Sequence, residues 1–239
     1  MIYEPDLVKG FPEFLPPESQ KLEAVQQAVK QSFIAYGFIP IKTPSLEYDE
    51  LARSDTLGTE DEAVSDRFRL QDKAGRNLTL RHEFTFQLAR IFKQNPTIKL
   101  PFRRFQIGSS FRDEPTSPGR YKEFTHCDAD IIGDPSIESD AECLAMGSSI
   151  LKKLEIEAVL HVNNRRLMNS ILDSVHIESK REVMHELDKI DKIGEDSLKT
   201  NLKKYADANQ ILTLFKLLEK KLEFFVKNLF EGADDLFKL

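Results

Sequence analysis

The chain has 239 residues, 40% hydrophobic and 31% charged, with 10 Gly and 11 Pro, a composition that excludes disordered, collagen-like and fibrous classes. Its 34 Lys and Arg against 40 Asp and Glu leave a net charge of −6, which argues against a protein that coats nucleic acid by phosphate neutralisation alone. No apolar run approaches the roughly 20 residues of a membrane span. The first residues, Met1 to Asp6, lack the basic-then-apolar order of a secretory signal. Two cysteines, Cys127 and Cys143, are too few for a disulfide scaffold or a four-ligand zinc site. A cytoplasmic protein with no membrane partner and no metal site of its own is therefore expected.

In chain order, Leu22, Val25, Val29 and Phe33 recur at helical spacing between Pro17 and Tyr36, and Gly37 is placed to close that helix. Phe38 to Ile41 reads as a short extended segment ending at Pro44. Ser54 to Ser65 is polar and acidic, the character of a surface loop. Arg67–Gln71 and Asn77–Arg81 alternate on either side of Asp72-Lys73-Ala74-Gly75, which predicts a hairpin. A helix follows from Thr85 to Gln94. Phe102–Arg112 and Phe124–Gly133 are strand-like runs that flank a loop from Asp113 to Lys122. Such hairpins imply an antiparallel sheet rather than βαβ repeats.

Ile137 to Leu154 is helical by period, Ala158 to Val162 reads as a strand, and Arg165 to Leu172 begins another helix. From about Asp173 the chain turns rich in Lys and Glu, with Leu212, Leu214, Phe215, Leu218, Leu222 and Phe225 at helical spacing. The expected architecture is α+β. An antiparallel sheet flanked by helices occupies residues 1–172, and a helical subdomain occupies 173–239.

The chemistry concentrates between Phe102 and Gly133. Alternate residues of a hairpin share a face, so Arg112 and Glu114 can point to one side of the sheet, as can Phe124, His126, Asp128 and Asp130. A guanidinium fork suits phosphate or carboxylate, a carboxylate can accept from an amino group, and an aromatic ring can stack a base. The same residues would also serve as a solvated charge ladder. Glu83 and Arg81 could pair across a sheet, Thr85 stands where a helix N-cap would, and Phe124 could be core. Cys127 reads as a small buried hydrophobe, and His161, His176 and His185 have no ligand spacing.

Phe111-Arg112-Asp113-Glu114, a loop, and Gly119-Arg120-Tyr121-Lys122-Glu123-Phe124 resemble motif 2 of the class II aminoacyl-tRNA synthetases. The helix, strand and Pro44 before them resemble motif 1, the dimer-forming element of that class. Lys9-Gly10-Phe11 with Phe14-Leu15-Pro16, and Leu78-Thr79-Leu80-Arg81-His82-Glu83-Phe84-Thr85, are similar to segments of histidyl-tRNA synthetase. His126-Cys127-Asp128-Ala129-Asp130 resembles the form found in archaeal and eukaryotic members, and Lys189 to Asp196 looks like the start of the family's helical insertion.

That resemblance implies a histidine–tRNA ligase using ATP with Mg2+. Arg112 would meet the α-phosphate, Glu114 the adenine amino group, Phe124 the adenine ring, and Arg120 the phosphates or the amino-acid carboxylate. Glu83, Thr85, His126 and Asp130 would hold histidine. The implied partners are histidine, ATP and tRNA(His), a second copy in a homodimer, and a C-terminal polypeptide. Two departures stand out. The family usually carries Gln where His126 stands, and the sequence lacks motif 3, the histidine-specific Arg-Gly-Leu-x-Tyr-Tyr segment and the anticodon-binding domain. The alternative is a non-aminoacylating paralogue such as a regulatory subunit of ATP phosphoribosyltransferase.

Overall fold

The computed structural model of the chain describes residues 6–52 and 66–239, so the loop expected from Ser54 to Ser65 lies outside the described residues. Helix α1 (Glu18–Ala35) ends as its sequence directs. Gly37 takes φ +80°, its N–H donates to the Ile34 carbonyl, and the Phe38 N–H donates to the Phe33 carbonyl, both at 3.0 Å. That paired reverse bonding needs a left-handed residue just past the helix, where glycine alone pays no Cβ penalty.

Strand β1 (Ile39–Pro40) is shorter than expected and pairs in parallel with β5 (Phe102–Phe111). Pro40 has no N–H to offer a ladder, and past it the Ile41 N–H makes one more bond, to the Phe105 carbonyl. β5 is antiparallel to β6 (Glu123–Ile132), from Phe102 opposite Ile132 to Phe111 opposite Glu123, and the sheet runs β1-β5-β6. A second sheet combines β2 (Leu46–Tyr48), β3 (Arg69–Gln71) and β4 (Asn77–Leu80) in the order β2-β4-β3, all antiparallel. The short helix α2 (Asp49–Ala52) follows β2, and α3 (Phe86–Gln94) follows β4. In the β3–β4 turn the Asp72 carboxylate accepts from the N–H groups of Ala74 and Arg76 while Gly75 sits at φ +76°.

Period-two alternation divides β5 and β6 cleanly. Phe105, Ile107, Cys127, Ala129 and Ile131 turn towards α1 and α4 (Ile137–Lys153), where Val29, Phe33, Phe38 and Met146 complete an apolar core. Arg104, Gln106, Gly108 and Ser110 stand opposite Asp130, Asp128, His126 and Phe124 and form the other, polar face.

The chain forms two compact units, Met1–Ala158 and Val159–Leu239. The second contains α5 (Arg165–Ser174), α6 (Lys180–Leu187), α7 (Ile190–Ile193), α8 (Glu195–Leu202), α9 (Ala208–Leu218), α10 (Leu222–Lys227) and α11 (Ala233–Lys238). Its core joins Leu167, Ile171 and Leu172 to Val183, Leu198, Leu202, Leu214 and Phe225. Gly232, at φ +80°, lies so close to the start of α5 that a Cβ there would fall 2.8 Å from the Asn164 side chain and the Leu167 nitrogen.

Two expectations are corrected here. The boundary expected between residues 172 and 173 falls inside the helical unit, because the apolar face of α5 packs with the helices after it although the composition changes only later. Ala158 to Val162 is not a strand. An extended run becomes one only when a neighbour takes up its N–H and C=O groups, and no described strand pairs with this one. Val159 is 79% exposed.

Candidate functional site

The polar face of β5 and β6 gathers most of the residues singled out in the sequence. At its outer end Arg112 follows β5, with its guanidinium carbon 5.2 Å from the centre of the Phe124 ring. The Arg112 N–H donates to the Lys122 carbonyl at 2.8 Å, which ties the two strands together beyond the ladder. The connecting loop is held by two ion pairs, Glu114 with Arg120 and Asp113 with Lys122. Gly119 allows its tight turn at φ +77°. Arg120 is largely exposed whereas the Glu114 side chain is only 17% exposed. The Gly10 carbonyl accepts from the Lys122 and Glu123 N–H groups, so the opening segment of the chain packs on this loop.

His126 occupies the middle of the face. Its ring stacks on the fully buried Phe84 at 5.2 Å and 19°, and its Nδ1 lies 3.4 Å from the Ser110 hydroxyl. Burial holds this imidazole below its ordinary value, with Asp128 working against that and Arg112 adding to it. His82 is lowered chiefly by burial as well, and stacks on Phe86 at 5.1 Å and 3°.

The inner end holds a charge cluster that sequence reasoning missed in part. Arg104 is fully buried, and its Nη2 lies 3.0 Å from Asp128 Oδ2 and pairs also with Asp130. The Thr85 hydroxyl donates to the same Asp128 oxygen at 3.2 Å. Burial pushes the Asp130 carboxyl from 3.8 up to about 6, while Arg104 opposes that rise and Asp128 and Glu83 add to it. Asp130 and Thr85 were anticipated as ligand-binding residues. Arg104 was not, although its position opposite Asp130 follows once the register is known.

Glu83 plays a different local role from the cross-sheet pairing considered for it. Its carboxylate accepts from the Thr85 and Phe86 N–H groups, the latter at 2.6 Å, and so caps α3. Thr85 occupies the N-cap position but makes no side-chain cap bond. Arg81 donates instead to the Ser109 carbonyl at 2.7 Å and the Thr43 carbonyl at 2.9 Å, which pins the segment before β2 to β5. Thr43, Gln87 and Gln106 form a buried hydrogen-bonded cluster beside it.

Among the described residues no group of three or more His, Cys, Asp or Glu gathers as a metal site, and no described helix is long and apolar enough to cross a membrane. The cluster instead gives a pH signature. The neutral Asp130 carboxyl is favoured in the folded chain, so the stability it contributes is present below about pH 4 and is lost as the pH rises through about 6. Asp130→Asn removes this ionisation and is therefore expected to shift stability relative to the wild type in a pH-dependent way, more favourably at pH 7 than at pH 4. Urea unfolding of both proteins at the two pH values checks this; an equal difference at both would contradict it.

The whole chain has clear relatives. A family model described as Histidyl-tRNA synthetase matches residues 10–235. Histidine--tRNA ligase 1 of Bacillus cereus is 39% identical over 197 residues, covering 82% of this chain and 45% of that protein. The structure of histidyl-tRNA synthetase from Nostoc sp. PCC 7120 superposes with a TM-score of 0.84 at 23% identity, over 99% of this chain and 57% of that one. An ATP phosphoribosyltransferase regulatory subunit/histidyl-tRNA synthetase from Bacillus halodurans C gives 0.75 at 20% identity, over 91% and 57%. At such identities the two structures speak for the fold alone. The chain spans about half the length of the curated relatives it matches.

Proposed function

We propose, on the premise that this chain belongs to the histidyl-tRNA synthetase family, that its first unit binds ATP and histidine for histidyl adenylate formation and for transfer of the histidyl group to tRNA(His). The observation that carries this reading is the single polar hairpin face with a cation–aromatic pair at one end and a carboxylate pair at the other. Phe124 and Asp130 are separated along β6 by roughly 20 Å of strand, enough for a nucleotide and an amino acid laid end to end.

In this reading the adenine stacks on Phe124 and gives its amino group to Glu114, which shares its charge with Arg120. Arg112 meets the α-phosphate and stabilises the charge that develops as the histidine carboxylate attacks phosphorus and pyrophosphate leaves. Thr85, His126 and Asp130 hold the ammonium and imidazole of histidine. Glu83 lies beside them as the cap of α3 and orients Thr85. Mg2+ would enter with the triphosphate as part of the substrate.

His126, where the family usually has Gln, offers Nε2 to the ligand while Nδ1 faces Ser110. The Cys127-Asp128-Ala129-Asp130 run supports kinship with archaeal and eukaryotic members. A homodimer through α1 and β1 is favoured by Val25, Ile34 and Ile39, all exposed on the single chain. A cytoplasmic location and a C-terminal partner polypeptide complete the reading. The alternative, a regulatory subunit of ATP phosphoribosyltransferase, shares the fold. Arg112, Glu114 and Phe124 on one hairpin favour the ligase.

The test is calorimetric titration of ATP and of L-histidine into the 239-residue chain. Arg112→Ala is expected to weaken ATP binding about ten- to a hundredfold, the worth of a charged hydrogen bond, and to leave histidine binding unchanged. A chain that binds neither ligand at millimolar concentration would sink the reading.

A further inference from the structure

Arg104 is a buried cation with incompletely satisfied donors among the described residues. Its guanidinium is wholly buried, and among the described residues neither Nε nor Nη1 has a hydrogen-bond partner. Leaving such donors unpaired disfavours folding, and a hydrophobic residue would fill the same volume without that penalty. Its one set of polar contacts runs through Nη2, to Asp128 at 3.0 Å, to Asp130, and to the Thr85 hydroxyl at 3.5 Å. The Asp128 and Asp130 side chains remain 22% and 24% exposed above it. The cation therefore lies beneath the carboxylates, shielded from anything that binds the face.

We propose that Arg104 is a positioning residue that holds the Asp128 and Asp130 carboxyl groups side by side, so that this end of the face presents net negative charge and selects a ligand bearing a cationic nitrogen. The choice of histidine as that ligand rests on the function proposed above; the control of the carboxylates does not. Two carboxylates on alternate positions of one strand repel, and without a cation one of them would keep its proton at neutral pH. The groups that act on Asp130 are Arg104 from β5, Asp128 from its own strand, Glu83 from the segment before α3, and Cys143 from α4. Arg104 is the one cation among them.

The experiment follows the carboxyl carbons of Asp128 and Asp130 by NMR through a pH titration of the full 239-residue chain. In the wild type Asp130 is expected to titrate near 6. In Arg104→Gln its midpoint should rise by at least one pH unit, and Arg104→Lys should return most of that rise. Should Arg104→Gln fail to fold, Asp128→Asn reports independently, by lowering the Asp130 midpoint as the like charge disappears. An Asp130 midpoint unmoved by the Arg104 variants that fold, or by Asp128→Asn, would overturn the proposal.

Ligand titration at pH 7.5 separates the two ideas. Arg104→Gln should weaken L-histidine binding at least tenfold and leave ATP binding intact, whereas general misfolding would lose both. A wild-type chain that fails to bind histidine would count against the proposed function, and the carboxyl titration would still decide the role of Arg104.

Discussion

Histidine-dependent ATP–pyrophosphate exchange by the 239-residue polypeptide alone is expected to run about ten-thousand-fold below that of a full-length relative. Displacement at the α-phosphorus needs positive charge arranged around the triphosphate, and in the proposed reading Arg112 would supply one side of it. The resemblance implies a second arginine from motif 3 and a third from the histidine-specific segment. After Arg120 this sequence offers only Arg165, Arg166 and Arg181. The first two open α5, and Arg181 lies in α6. The glycines after Gly133 are committed elsewhere: Gly147 lies within α4, Gly194 separates α7 from α8, and Gly232 lets the chain approach α5 closely. Losing one well-placed charge-stabilising group costs on the order of a hundredfold or more, and the expected deficit supposes that two such groups go unsupplied by these 239 residues. Exchange at a rate comparable with the relative's would mean that this polypeptide completes the site with residues outside the hairpin.

Leu214→Ala is expected to unfold the helical unit selectively. Leu214 is wholly buried among Leu198, Leu202 and Phe225, and truncating such a leucine costs about 2–5 kcal/mol, a large share of what a small unit has in total. Leu212, two residues earlier on the same helix, is 52% exposed, and Leu212→Ala should change stability by less than about 0.5 kcal/mol. Amide hydrogen exchange on both variants is the check. Loss of protection from α5 to α11 in Leu214→Ala alone, with β5 and β6 still protected, is the expected pattern. Equal loss in both variants would contradict the burial of Leu214 and the exposure of Leu212.

Much of the fold was legible because its rules are local. The apolar period of α1 and its closing Gly37, the turn at Asp72–Gly75, and the alternation of β5 and β6 each depend on residues a few positions apart. Alternation also placed Phe124, His126, Asp128 and Asp130 on one face before any partner strand was known, since successive side chains of a strand must point to opposite sides.

What the sequence by itself determined, then, is α1, the β3–β4 turn, and the long hairpin with the side chains that share its polar face, because helical and strand periods are set within one segment. What only the tertiary structure decided depends on which distant groups meet. Arg104 became the partner of Asp128 and Asp130 through the β5–β6 register, and Glu83 became a helix cap rather than a partner of Arg81 because Ser109 and Thr43 took that guanidinium. Likewise Leu214 and Leu212 satisfy the same apolar pattern, and α5 joined the helices after it ahead of any change in composition. Burial, register and the pairing of charges are properties of neighbours in space, and a linear pattern carries no record of which neighbours those will be.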